Sequence, residues 1–205
     1  MSKIDPTAQF RAIDVLLESV DNPLHRRILL NYRRHAILEI THQKELILLD
    51  PEMTVPHPRY MLNVNDTSVI LDGAEEILAW YGSLEAADAT VMLFEDERIS
   101  VFDEGFYSEG WMNTFLRGSL LPEDVHADPD GYYVLRQYLA MHWPYNSQGL
   151  LEGEHAFEHK AAREIIQVSA DDFITIDQAR AALLPILNEV PPAIHQRGDR
   201  ADASQ

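Results

Sequence analysis

Four long segments in the second half of the chain most narrow what it can fold into. They are ATVMLFEDERISVFDEG (residues 89–105), FYSEGWMNTFLRGSL (106–120), GYYVLRQYLAMHWPY (131–145) and LLEGEHAFEHKAAREIIQV (150–168). Each is rich in β-branched and aromatic residues and is bounded by turn signals, so each reads as strand. Consecutive strands joined by short turns pair antiparallel. A sheet that long must cover one face with something apolar, and the first half of the chain supplies helices for the purpose. The expected class is α+β: a cone-shaped, curved antiparallel sheet wrapped around N-terminal helices. The hollow of such a cone is a natural small-molecule pocket.

The helical half has its own punctuation. PTAQFRAIDVLLESV (6–20) spaces Phe10, Ile13, Leu16 and Leu17 at helical intervals. Asp21-Asn22-Pro23 stops that helix and starts another, with Asn22 as N-cap and Pro23 at the first helical position. The second helix is expected to run from about Leu24 to Leu48. Pro56 and Pro58 in DPEMTVPHP (50–58) then bar both helix and central strand. RYMLNVN and SVILDG read as short strands about an Asp66-Thr67 turn, and GAEEILAWYGSL (73–84) as a compact helix. PEDVHADPDG (122–131) is an acidic loop, and a last helix is capped by Thr175 or Asp177. One domain is expected over residues 1–188, followed by a flexible C-terminal tail over 189–205, where apolar residues are few.

Charge and composition exclude several functions. There are 34 acidic against 16 basic residues, a formal charge of -18. Such a surface repels phosphates, so no nucleic-acid and no membrane partner is expected. There is no cysteine, hence no disulfide, thiolate metal site or cysteine nucleophile. No stretch has the apolar length of a signal core or a membrane span. The expectation is a soluble, cytoplasmic protein. No Gly-rich phosphate loop, nucleophile elbow or nucleotide fingerprint is present.

The long helix carries LNYRRHAILEITH (30–42). At 100° per residue, Tyr32, His35, Glu39 and His42 fall within an arc of roughly 80°. The other side of the helix carries Leu30, Ile37, Ile40 and Leu48. A helix apolar on several sides is buried, and buried His and Glu need partners. Three readings fit the stripe: a solvated face of mutually bonded groups, the wall of a ligand pocket, or a metal site made of His35, Glu39 and His42.

The long helix with YRRHAILE, the Pro-rich MTVPHPRY, the LDGAEEILAWY helix and the hairpins YLAMHWPY and GLLEGEHAFEH together resemble the nuclear transport factor 2-like superfamily, in its SnoaL-like branch. The resemblance spans roughly residues 8–188. It implies a cone-like α+β barrel, often a homodimer or higher homo-oligomer, with a pocket in which Tyr, His, Asp and Asn side chains do acid–base chemistry without a cofactor. The branch is similar to scytalone dehydratase and to lyases of lignin-derived dimers. Its early-helix tyrosine falls on Tyr32; its early-helix aspartate has no counterpart, because Arg33 follows.

The remaining candidates come from the loop and the strands. His57 and Tyr60 flank the stiff VPHPRY segment. In residues 131–145, period two sets Arg136, Tyr138 and His142 on one face and Leu135, Leu139, Met141 and Trp143 on the other. The polar face is either solvent or the pocket, and the family's reactive concave face makes His142 a general-base candidate. His155 alternates with Glu154, and the adjacent Gly153 leaves room for a ligand or another strand. Trp111 and Asn113 share a face that suits a planar ligand or plain packing.

The resulting expectation is a metal-free, cofactor-independent lyase acting on a neutral or phenolic aromatic small molecule by dehydration or retro-aldol-type cleavage. His142 or His35 would remove a proton and Tyr32 or Tyr60 would assist the leaving oxygen. Glu39, His57, Trp111, Asn113, Arg136, Tyr138 and His155 would contact substrate. Isomerisation, a non-catalytic binding or assembly module, and the metal-dependent alternative are the competing readings.

Overall fold

The structure is a computed structural model that describes residues 4–121 and 125–189. The tail over 190–205 and residues 122–124 of the acidic loop lie outside the described residues.

A short 3-10 turn leads into α1 (Arg11–Ser19), which buries Phe10, Ile13 and Leu17. The Asn22 side chain accepts a hydrogen bond from the Leu24 N–H at 2.9 Å, and Pro23 opens α2 (Pro23–Ile40). Half of this helix is buried, on nearly all sides: Ile28, Leu29, Asn31, Tyr32, Arg33, His35, Ile37, Leu38 and Ile40. It is the central helix of the core, as its multi-sided apolar pattern requires.

The helix does not reach Leu48 unbroken. Thr41 turns its hydroxyl back onto the Ile37 carbonyl, and His42 adopts φ 61°. The Gln43 N–H bonds to Leu38 O and the His42 N–H to Glu39 O, the pattern of a Schellman cap with a left-handed residue. A separate α3 (Lys44–Leu48) follows. His42 therefore leaves the stripe that an uninterrupted helix would have drawn.

Seven strands form one curved, unclosed, largely antiparallel sheet. They are β1 (Thr54–Val64), β2 (Thr67–Asp72), β3 (Met92–Phe102), β4 (Gly105–Arg117), β5 (Tyr132–Pro144), β6 (Leu151–Glu158) and β7 (Glu164–Val168). The order is β2-β1-β6-β5-β4-β3, with β7 on β5. One pairing, β1 with β6, is parallel. Among the described residues two further α-helices follow: α4 (Ala74–Ala86) and α5 (Ile176–Leu183), the latter opened by a Thr175–Gln178 capping box.

Pro56 and Pro58 lie within β1, contrary to expectation. The register against β6 jumps from Thr54↔Leu151 to Arg59↔Gly153, and pairing with β2 begins only at Arg59. The prolines occupy the slipped stretch, where a missing N–H costs no ladder bond. Gly153 is small because of that second strand. A Cβ there would sit 2.0 Å from Arg59 O, so another strand, and no ligand, takes up the room.

One extra residue between Glu95 and Arg98 in β3, with Asp96 at φ 53°, makes a bulge. It bends the strand and reverses which side chains face inward. Glu97 consequently meets α2.

Candidate functional site

Between α2, α4 and the sheet lies a cavity of about 510 Å³, within the range of small-molecule sites. Alternate residues of the strands line it: Met112, Thr114 and Leu116 from β4, Leu135, Leu139, Met141 and Trp143 from β5, Glu154 and Ala156 from β6. The helices contribute Tyr32, Ala36, Glu39 and Ile40 from α2, and Trp80 and Leu84 from α4. Three carboxyl residues, Glu39, Asp66 and Glu154, thus stand in a mostly apolar wall, and Asp66 is ion-paired with Lys160 and Arg163. None of the described lining residues is Lys, Arg or His.

Glu154 is 7% exposed, and its Oε2 has no hydrogen-bond partner among the described residues. Burial, and then the negative charge of Glu39, hold its carboxyl well above the usual carboxylate range. Both effects favour its protonated form, and its free oxygen stands at the cavity wall. Behind Glu39 runs a buried chain of polar groups. His35 Nε2 lies 3.5 Å from Glu39 Oε2 and 3.0 Å from the Tyr81 hydroxyl, which is 3.4 Å from the Tyr60 hydroxyl. Burial raises both phenols well above their ordinary value, so they stay protonated. The edge of His35 against Trp143, at 5.0 Å, braces it from the other side.

Tyr32 lines the cavity and packs on Phe106 and Trp143, with ring centroids 4.6 and 4.9 Å away. Its hydroxyl donates to Glu97 Oε1 at 2.7 Å. Burial pushes Glu97 up to about 7, against a smaller lowering by the Tyr32 bond.

The sequence-derived candidates therefore divide. Tyr32 and Glu39 line the cavity, while His35 and Tyr60 are fully buried behind its wall. His42 turns away, 2.6 Å from the Thr90 hydroxyl. The metal reading of His35, Glu39 and His42 fails on this geometry: among the described residues no group of three or more His, Cys, Asp or Glu is arranged to hold an ion.

The expectation for the polar face of β5 is reversed. Leu139, Met141 and Trp143 face the cavity, so Arg136, Tyr138 and His142 face the other way. The cavity is also the protein's core, and the apolar side of the strand is the one the core takes up. His155 and Trp111 share the far side: His142 meets His155 across the strands, and Trp111 stacks edge-on to Tyr138 at 5.2 Å beneath the Arg136 guanidinium. Asn113 is buried, donating to Leu93 O and Glu95 Oε2 at 3.2 and 3.0 Å, a structural tie in place of a substrate contact. His57 is exposed and pairs with Asp72 at 3.1 Å, away from the cavity.

Sequence reasoning passed over Glu154, Tyr81 and Glu97. Period two in LLEGEHAFEH does place Glu154 opposite His155, on the side of Ala156. That signal was available; the missing information was which side is concave.

No family model and no curated protein matches the chain. Solved structures do. A candidate polyketide cyclase of Xanthomonas campestris pv. campestris aligns over 67% of this chain and 94% of its own, at 11% identity and TM-score 0.50. A candidate SnoaL-like polyketide cyclase of Jannaschia sp. CCS1 aligns over 70% and 93%, at 12% identity and TM-score 0.51. The chain thus shares its overall fold with these two proteins, the nuclear transport factor 2-like fold.

Proposed function

We propose that the chain is a cofactor-independent acid–base enzyme, a lyase acting on an uncharged hydroxylated aromatic small molecule. The observation that carries this reading is Glu154: a buried carboxyl with one unpartnered oxygen, facing a ligand-sized, mostly apolar cavity that also holds Glu39. Burial favours the protonated form of Glu154, and two carboxyls in unlike surroundings can supply an acid and a base to one site. The two solved structures that share the fold are described as candidate polyketide cyclases, which supports small-molecule chemistry on this scaffold. Trp80, Trp143 and the surrounding methionines favour an aryl group. Among the described lining residues there is no cation and there are three acids, which disfavours a substrate carrying a free carboxylate or phosphate.

In a dehydration, the Glu39 carboxylate removes a proton from carbon, and the electron pair forms the double bond. The C–O bond breaks as Glu154 gives its proton to the departing hydroxyl, and water leaves. Glu39 then holds the proton taken from carbon and Glu154 is ionised; a proton transfer from Glu39 to Glu154 restores the starting state. A retro-aldol cleavage uses the same pair: Glu39 takes the hydroxyl proton, the C–C bond breaks to release an aldehyde, and Glu154 protonates the carbanion. His35, held by Tyr81, orients Glu39, and Tyr32 offers its ring to the substrate.

The test is a mass-spectrometric turnover screen of hydroxylated aryl compounds, lignin-type dimers included, with wild type and Glu154→Gln. The expected products are lighter by water or by formaldehyde. The variant should be slower by about 10²–10⁴-fold, the usual worth of one general acid. Equal rates for the two proteins would remove Glu154 from the chemistry. No turnover of any class would favour a non-catalytic binding role.

A further inference from the structure

On the side of the sheet away from the cavity, we propose that His142 and His155 form a two-histidine site for a divalent transition cation, zinc above all. The two residues are direct partners in the antiparallel β5–β6 ladder. Their Nδ1 atoms lie 3.3 Å apart. With Zn–N bonds of about 2.0–2.1 Å and a tetrahedral angle, two nitrogens on one zinc are ~3.3–3.4 Å apart. The pair already has that bite, whereas 3.3 Å is long for a hydrogen bond between two ring nitrogens.

The His142 ring is stacked on Tyr107 at 4.5 Å, and the Phe102 ring lies 6.2 Å away, nearly parallel to it. These contacts restrict the ring and reduce the ordering that binding would cost. Both histidines remain partly open to solvent, so water can fill the remaining coordination positions. Two protein ligands are fewer than the three or four of usual zinc sites, so the site is an exchangeable one, and the charge of Arg59, which acts on His155, also limits its affinity. A bound cation would tie β5 to β6 at the residue next to Glu154, on the opposite face of the same strand. The inference stands independently of the proposed reaction.

Isothermal titration of the untagged full chain with zinc chloride at pH 7.5 tests it, using wild type, His142→Ala, His155→Ala and His57→Ala. Wild type and His57→Ala should show the same saturable event at one zinc per chain. Each of the other two variants should weaken it by about 100-fold, because the second ligand acts at high effective concentration once the first is bound. Far-ultraviolet circular dichroism identifies any variant that fails to fold, and His142→Gln then replaces it. No saturable binding by wild type up to millimolar zinc overturns the proposal. Binding that survives loss of either histidine does the same.

Discussion

Glu97→Gln is expected to stabilise the protein at alkaline pH and to do little in acid. Burial lifts the Glu97 carboxyl from its ordinary 4.5 to about 7. At about 1.36 kcal/mol per pKa unit, that interval corresponds to on the order of 3 kcal/mol favouring the protonated form. The side chain keeps intermediate exposure, and solvent relieves part of the effect, so about 1–3 kcal/mol is the working range. The folded state holds this proton more tightly than the unfolded state. The associated stability is therefore complete below about pH 4.5 and is lost as pH rises through about 7. Glutamine cannot ionise, yet its carbonyl still accepts the Tyr32 hydrogen bond. Urea unfolding of wild type and variant at pH 5 and pH 8 reads the difference directly. The two proteins should differ by less than ~1 kcal/mol at pH 5, and the variant should lead by about 1–3 kcal/mol at pH 8. A gap that does not change between these pH values would show that Glu97 ionises freely and that the burial argument is wrong.

Two further substitutions probe particular joints. His42→Gly and His42→Ala both lose the Thr90 bond, but only glycine is at ease at φ 61°; the glycine variant should be the more stable by about 1 kcal/mol in urea unfolding, and equal stabilities would mean that the α2 cap can shift without cost. Ala36→Phe projects a ring into the cavity from α2, so it should abolish binding of a neutral apolar dye such as Nile red while leaving the circular dichroism spectrum intact. Unchanged dye binding would place the ligand elsewhere.

Local signals in the chain were enough for several of its elements. Asn22-Pro23 and Thr175 mark helix starts through hydrogen bonds made within three residues. The many-sided apolar pattern of Pro23–Ile40 likewise required a central, buried helix, and long strands after helices required the α+β class. Three things were beyond it. The strand-borne prolines depended on a register slip against β6, a choice made by two distant segments together. The working face of β5 was undecided because period two is symmetric: it separates Trp143 from His142 without saying which side the sheet curls toward. The acids of the site were undecided for a related reason. Glu154 and Glu97 look like any of the 34 acidic residues of the chain. What distinguishes them is the apolar wall and the second carboxylate that folding brings against the one, and the Tyr32 hydroxyl that a bulge brings against the other. Local hydrogen bonding and periodicity are written in neighbouring residues, whereas desolvation and charge coupling exist only once distant parts of the chain are packed together.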